Sequence, residues 1–288
     1  MMMSVSPLKI LTGLAVTAAV IYLLLVVLAW KYQDRLAFPA VPAELPTPET
    51  LGLTHGERIQ VTTADGIQLR GWYLAPVPAP PNGERAPGLI WFPGNMETIE
   101  GIAPILNGLR PPGIGLVVLD YRGYGESNGE PTEAAVYSDA EAAWDYLVGR
   151  PEIDSNRIAL YGRSIGSAVA LYLATRRPVR ALVLDSPFST GRDMAKEHYS
   201  FFPSSLIRLG LDNIRRAREI ELPLMVFHGT EDRIAPIAMG RAVARAGRAE
   251  EFIEIPGAGH NDTYDMGGQM YVSRFHRFLN KHLIEANQ

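Results

Sequence analysis

The chain has no cysteine, which excludes a disulfide framework, a thiolate metal site and a cysteine nucleophile together. It also lacks a dominant charge: 27 Lys and Arg against 31 Asp and Glu leave a formal net charge of −4. So mild a balance gives no electrostatic reason to expect nucleic acid as a partner. The histidines and carboxylates show no paired spacing suited to a metal. Arg122-Gly123-Tyr124-Gly125 is a glycine turn after an apolar run, but it lacks the dinucleotide-binding pattern. Neither metal nor cofactor is therefore expected. Internal repeats are missing too, and 288 residues hold one large α/β domain without requiring a second.

One long hydrophobic run is present. Ile10 to Trp30 contains no charged residue, and at 1.5 Å per residue it makes about 31 Å of helix, the thickness of a hydrocarbon core. Lys9 precedes the run, while Lys31, Asp34 and Arg35 follow it, and Trp30 and Tyr32 sit where aromatics favour the headgroup level. A core helix apolar around its whole circumference fits poorly in a domain of this size. A cleaved signal peptide is the better rival, although the run is long and no clear A-x-A site follows. The expectation is a single-pass membrane anchor over residues 1–36. Lys9 and the amino terminus on one side balance Lys31 and Arg35 on the other, so positive-inside counting favours neither orientation.

Pro39, Pro42, Pro46 and Pro48 then mark residues 37–56 as an extended, stiff spacer. Glu57–Thr63 and Ile67–Ala75 alternate apolar and polar residues around Ala64-Asp65-Gly66, which predicts an antiparallel hairpin. Beyond a proline-rich loop the rhythm changes. Leu89–Phe92, Leu116–Leu119, Ile158–Tyr161, Ala181–Leu184, Leu224–Phe227 and Phe252–Ile255 are continuous apolar runs, and helical stretches such as Glu133–Leu147 and Ile237–Arg245 separate most of them. Strands apolar on both faces alternating with helices imply a parallel sheet covered on both sides. With the hairpin, a mostly parallel sheet of about eight strands is expected over residues 57–288. Residues 186–218 interrupt the alternation with Phe201-Phe202-Pro203, Leu206-Ile207 and Arg208, Arg215, Arg216 and Arg218. Lying after a strand's carboxyl end, this insertion reads either as a lid over the site or as ordinary helical packing with a solvated basic face.

Gly162-Arg163-Ser164-Ile165-Gly166 is a G-x-S-x-G pentapeptide between an apolar strand and a small-residue helix. A serine on so tight a strand-to-helix turn needs neighbours almost without side chains. Ser164 is thus the candidate nucleophile. A hydroxyl needs a base to take its proton, and the imidazole needs a carboxylate to fix its tautomer. His260, in the glycine-flanked loop after Phe252–Ile255, and Asp232, after Leu224–Phe227, supply both in the order Ser, acid, His. Asp232 outranks Glu231 through its shorter, stiffer side chain. His228, at a strand end, reads as structural; His55, His198, His276 and His282 lie elsewhere. Asp120 and Asp185 end earlier strands and read as loop-fixing carboxylates bonded to backbone amides, and Asp262 reads either as a brace for the histidine loop or as a water-facing carboxylate. Negative charge developing on a carbonyl oxygen requires donors, here the backbone N–H of Ile165 and that of Asn95, with Met96 the alternative.

These residues, together with Tyr32–Pro39, Phe92–Asn95, Asp120–Ser127, Asp185–Phe188 and His228–Asp232, give the chain a resemblance to the α/β-hydrolase superfamily over nearly its whole length. More narrowly it resembles a membrane-anchored branch that includes eukaryotic protein depalmitoylases and uncharacterised bacterial members. The resemblance implies an α/β-hydrolase fold and a serine esterase or thioesterase acting on a small or lipid-like acyl substrate; the alternatives are a serine peptidase using the same residues and a non-catalytic binding protein on a hydrolase scaffold. One departure stands out: Pro93 precedes Gly94 where the family usually has a histidine that supports the loop.

Overall fold

The computed structural model describes residues 6–199 and 201–285. The hairpin forms β1 (Gly56–Thr62) and β2 (Gln68–Leu74), turning at Gly66 with φ +82°, a conformation that costs glycine little. The apolar runs become β3 (Ala86–Phe92), β4 (Gly115–Leu119), β5 (Ile153–Arg163), β6 (Ala181–Asp185), β7 (Leu224–Gly229) and β8 (Glu251–Ile255). All eight join one sheet in the order β1-β2-β4-β3-β5-β6-β7-β8. Only the β1–β2 and β2–β4 pairings are antiparallel.

Successive residues of each strand point to opposite faces, which explains the continuous apolar runs. Leu89, Trp91, Val118, Tyr161, Val183 and Phe227 face one side, packed with α3 (Ile99–Leu109) and α9 (Thr263–Leu283). Ile90, Phe92, Leu160, Leu182, Leu184 and Val226 face the other. There they meet α4 (Glu133–Val148), α5 (Ile165–Ala174), α7 (Asn213–Glu219) and α8 (Ile237–Ala246). Chain order reverses at β3, which has β4 on one side and β5 on the other. The crevice beyond the carboxyl ends of β3 and β5 is the switch point where such sheets build sites.

At the amino-terminal end, α1 (Pro7–Lys31) is long and apolar enough to cross a membrane. Of its residues only Val26 is buried, so its apolar side chains stand exposed around the helix. A short α2 (Gln33–Ala37) follows. The proline-rich segment is extended but does not stand free as a spacer. Phe38, Leu45 and Leu53 are buried, the Gly125 N–H donates to Val41 O, and the Trp72 indole N–H donates to Pro46 O. Proline stiffness was legible; the apolar side chains between the prolines bind the segment to the sheet instead. The insertion after β6 carries α6 (Gly191–His198) and then α7, whose Asn213 is buried and donates to Ser167 Oγ and Phe188 O.

A buried ion pair holds the loop after β4. Arg122 donates from Nε and Nη2 to Asp139 Oδ1 at 2.8 and 2.7 Å, and from its backbone N–H to Asp139 Oδ2 at 2.9 Å. Asp65, half-exposed, also accepts from Arg122 Nη1 at 2.7 Å, so the guanidinium keeps one partner when Asp139 is removed. Asp139→Ala is therefore expected to lower unfolding free energy by about 1–3 kcal/mol, the cost of the lost charge-assisted hydrogen bonds, read from urea denaturation.

Candidate active site

Ser164 caps α5 immediately after β5, with φ +51° and ψ −117°. A non-glycine residue in such a conformation costs on the order of 1–3 kcal/mol and persists only where its surroundings impose it. They do so here by backbone proximity. A Cβ on Gly162 would lie 2.4 Å from the Gly166 carbonyl oxygen, and one on Gly166 would lie 2.2 Å from that of Phe92. The Ser164 N–H is tied to Asp185 O at 2.8 Å. The hydroxyl consequently projects at the switch point, half-buried.

Two loops from the other half of the sheet reach it. His260 Nε2 lies 2.8 Å from Ser164 Oγ, and His260 Nδ1 lies 2.7 Å from Asp232 Oδ2. With Nδ1–H donating to the carboxylate, Nε2 accepts from the serine hydroxyl. Asp262 braces the histidine loop by accepting from the Gly259 N–H at 2.7 Å. Asp232 Oδ1 accepts from the Ile234 and Ala235 N–H groups at 2.9 and 2.8 Å. Burial pushes the Asp232 carboxyl up, but the nearby His228 ring, the hydrogen bond from His260 and the Ala235 N–H outweigh it and hold the group well below the usual carboxylate range. His228 is fully buried and donates from Nε2 to Ala235 O at 2.7 Å, with Asp232 Oδ2 3.3 Å away. It thus supports the acid rather than facing the serine. Glu231 is exposed. His198, His276 and His282 bond Ile234 O, Leu109 O and Glu250, and His55 lies in the turn before β1.

The loop after β3 faces the serine from the opposite side. Asn95 Oδ1 accepts from the Tyr124 hydroxyl at 2.9 Å. Burial pushes the Tyr124 hydroxyl up to about 12, so it stays a donor. The N–H groups of Asn95, Met96 and Ile165, the last being the first residue of α5, have no acceptor among the described residues. Helix N-terminal N–H groups favour negative charge.

The sequence reading passed over the residue that joins these loops. Arg163, buried beside Ser164, forms an ion pair with Glu97 and donates to His260 O at 2.8 Å and Asn261 Oδ1 at 3.0 Å. Glu97 in turn accepts from the Gly94 N–H, and Tyr121 donates to Pro93 O at 3.1 Å. The loop that lacks the family's histidine is therefore clasped by an acid, an arginine and a tyrosine. Asp185 also differs from expectation. Its carboxylate accepts from the hydroxyls of Thr263, Tyr271, Tyr161 and Ser186 at 2.8 to 3.1 Å rather than from backbone amides. Asp120 accepts the Ile99 N–H at 3.0 Å and so anchors the start of α3.

A strained serine between β5 and α5, an imidazole and an acid from the loops after β8 and β7, and backbone donors after β3 follow the layout of α/β hydrolases. The chain belongs to that family. A family profile described as serine aminopeptidase, S33 matches residues 84–209. An uncharacterised protein of Mycobacterium tuberculosis is 35% identical over 254 residues, covering 87% of this chain and 88% of its own. The α/β-hydrolase domain-containing protein WAV2 of Arabidopsis thaliana is 30% identical over 293 residues, covering 91% and 92%. Among solved structures, an esterase of Pyrococcus furiosus superposes with a TM-score of 0.67 at 20% identity, covering 84% of this chain and 97% of that one.

Two outcomes are expected. Arg163→Met frees the loops on either side of Ser164. Because about 1 Å of misplacement costs a reacting group about a hundredfold, the rate at which Ser164 reacts with a fluorophosphonate falls by about that factor, while the circular dichroism spectrum is kept. The second concerns pH. Burial pushes the Asp120 carboxyl from 3.8 up to about 7, against the Ile99 N–H and with help from Glu126. Between those values the folded state holds a proton that the unfolded state has lost, so this group's contribution to stability falls as pH rises from about 4 to about 7. Asp120→Asn cannot ionise. Wild type is expected to lose stability relative to it across that window, by at most about 1.4 kcal/mol per pH unit, in urea titrations at fixed pH steps.

Proposed function

We propose that the protein is a membrane-anchored serine hydrolase that cleaves a carboxylic ester or thioester through an acyl-enzyme. The observation that carries this reading is the continuous hydrogen-bond chain from Ser164 Oγ through His260 to Asp232. Ser164 attacks the substrate carbonyl carbon while His260 Nε2 takes its proton. The resulting imidazolium is stabilised by Asp232, which stays ionised. Negative charge on the carbonyl oxygen is received by the N–H groups of Asn95 and Ile165, each such donor being worth about 3 kcal/mol. Collapse expels the alcohol or thiol, which collects the proton from His260. Water, activated by the same imidazole, then releases the acid and restores the serine.

The anchor reading is supported by α1, whose apolar surface is exposed nearly throughout; a signal sequence would share its length and composition. Tethering raises the local concentration of any substrate held in the same bilayer, which favours a lipid-like or lipid-attached acyl group. A second reading, a serine peptidase, is supported by the description of the matching family profile and would use the same residues on an amide.

The test combines labelling and turnover. A fluorophosphonate probe is expected to label wild type at Ser164 and to fail on Ser164→Ala and His260→Ala; a folded wild type left unlabelled would falsify the catalytic reading in favour of a binding protein on a hydrolase scaffold. Turnover of p-nitrophenyl acyl esters should exceed that of peptidyl nitroanilides, and the reverse order would make the peptidase reading the better one.

A further inference from the structure

The apolar strap between α6 and α7 is tied to α1 as well as to the catalytic domain. The Tyr22 hydroxyl donates to Phe201 O at 2.9 Å. Gln33 donates from Nε2 to Leu206 O at 2.9 Å and accepts the Arg208 N–H at Oε1 at 2.7 Å. The Arg208 guanidinium donates to Trp30 O at 3.0 Å and lies 4.7 Å from the Trp30 ring centroid. At the strap's other end His198 bonds Ile234 O at 2.7 Å, two residues beyond the acid of the site. The strap thus spans from the apolar helix to the turn that carries Asp232.

Its exposed side chains are large and apolar: Tyr199, Phe201 and Leu206 are 54%, 63% and 37% exposed. In water such a set beside a bare apolar helix is costly. Depth along α1 gives it a place. Trp30 and Arg208 form a pair suited to the headgroup level. Tyr22 lies eight residues earlier, about 12 Å along the helix axis, which is inside the hydrocarbon half-thickness of about 15 Å. A hydroxyl or carbonyl at that depth must find a protein partner. Tyr22 and Phe201 satisfy each other there. The strap's turns close further backbone groups: Phe202 N–H donates to Tyr199 O, Leu206 N–H to Pro203 O and Ile207 N–H to Ser204 O. Irregular backbone is tolerated at membrane depth when its polar groups are paired and it rests on protein. Toward the site the apolar exposure continues at Ile234, 43% exposed, and at Met96 beside Asn95, 64% exposed.

We propose that residues 201–208, docked on α1, lie in the same leaflet and hold the mouth of the Ser164 site against the bilayer, so that an acyl chain enters it from hydrocarbon rather than from water. This deepens the reading of α1 as an anchor and of the site as a hydrolase, and it rests on both. The occupant of the apolar face is the lipid itself, argued from its continuity with α1.

Because the chain has no native cysteine, single thiols report directly. Full-length Phe201→Cys, Leu24→Cys and Glu84→Cys are labelled with an environment-sensitive fluorophore and reconstituted in phosphatidylcholine vesicles. Labels at 24 and 201 are expected to be quenched by lipid carrying a nitroxide on its acyl chain and shielded from iodide, and the label at 84 to show the opposite. If 24 behaves so while 201 follows 84, the anchor stands and the docking is wrong. Shielding of 201 from both quenchers means that a protein face covers the strap, which also overturns it. If 24 follows 84, the anchor reading falls and the proposal with it. The entry route has its own arm. Phe201→Asp combined with Leu206→Asp should lower turnover of a vesicle-embedded long-chain ester, relative to a soluble short-chain ester, by about tenfold or more. An unchanged ratio rejects entry from the bilayer. Loss of fluorophosphonate labelling at Ser164 in wild type with lipid quenching at 201 intact would instead sink the hydrolase reading alone.

Discussion

Two backbones meet at the switch point with no room between them, and the geometry of the site follows from that contact. The start of α5 lies so close to the end of β3 that a single methyl group on Gly166 would collide with the Phe92 carbonyl. The turn between β5 and α5 cannot relax away from β3, so Ser164 is held with its φ positive and its hydroxyl outward. The loop bearing Asn95 springs from the same Phe92. One packing contact therefore fixes both the serine and its distance from the backbone donors across the crevice. Strain of this kind is stable only because β5 is paired on both sides, to β3 and to β6.

Arg163 extends that constraint to the histidine loop. A buried guanidinium cannot be left without partners, and here the partners come from separate parts of the chain: Glu97 after β3, and His260 O and Asn261 after β8. Buried ion pairs add little net stability against apolar replacements; what this one does is tie three separate segments into a single arrangement. The arrangement specified is the one in which the imidazole faces the serine. Glu97 also holds the Gly94 N–H, which accounts for a proline being tolerated at position 93: the support comes from the residues after the glycine instead of the residue before it.

What could be read from the sequence was what short-range pattern encodes. The hairpin, the six apolar runs and the helices between them lie within a few residues of the observed elements, because fully covered strands must be apolar on both faces. The serine turn was legible from glycine spacing, and the acid and histidine from their places after late strands. Contacts between distant residues of ordinary type were not legible. Nothing in the run around Glu97 marks it as the partner of Arg163, and no periodicity connects Tyr124 with Asn95. The segment with Phe38, Leu45 and Leu53 was read by its prolines, whose stiffness is local, whereas its burial depends on β2 and the loop after β4. Asp185 was read correctly as a carboxylate that fixes a loop, but hydroxyls brought in by β5 and α9 took the place of backbone amides.

The turn from Asp232 to Ala235 is where the charge logic of the site and the strap over it converge. Three donors meet the Asp232 carboxylate: two backbone N–H groups on one oxygen and His260 on the other, with the His228 ring 3.3 Å away. A buried carboxyl with a single donor would be pulled toward its neutral form, and a neutral acid cannot stabilise an imidazolium. With three, the charge remains, so the proton that moves in the proposed reaction is exchanged between Ser164 and His260 alone. Two of those donors belong to Ile234 and Ala235, and the Ile234 carbonyl is also the resting point of His198 at the end of α6. Displacing the strap from α1 therefore pulls on the peptide whose N–H groups hold the acid. The apolar strap and the Ser164–His260–Asp232 hydrogen-bond chain meet at one turn, so the lipid contact proposed for the strap acts on the same backbone that orients Asp232.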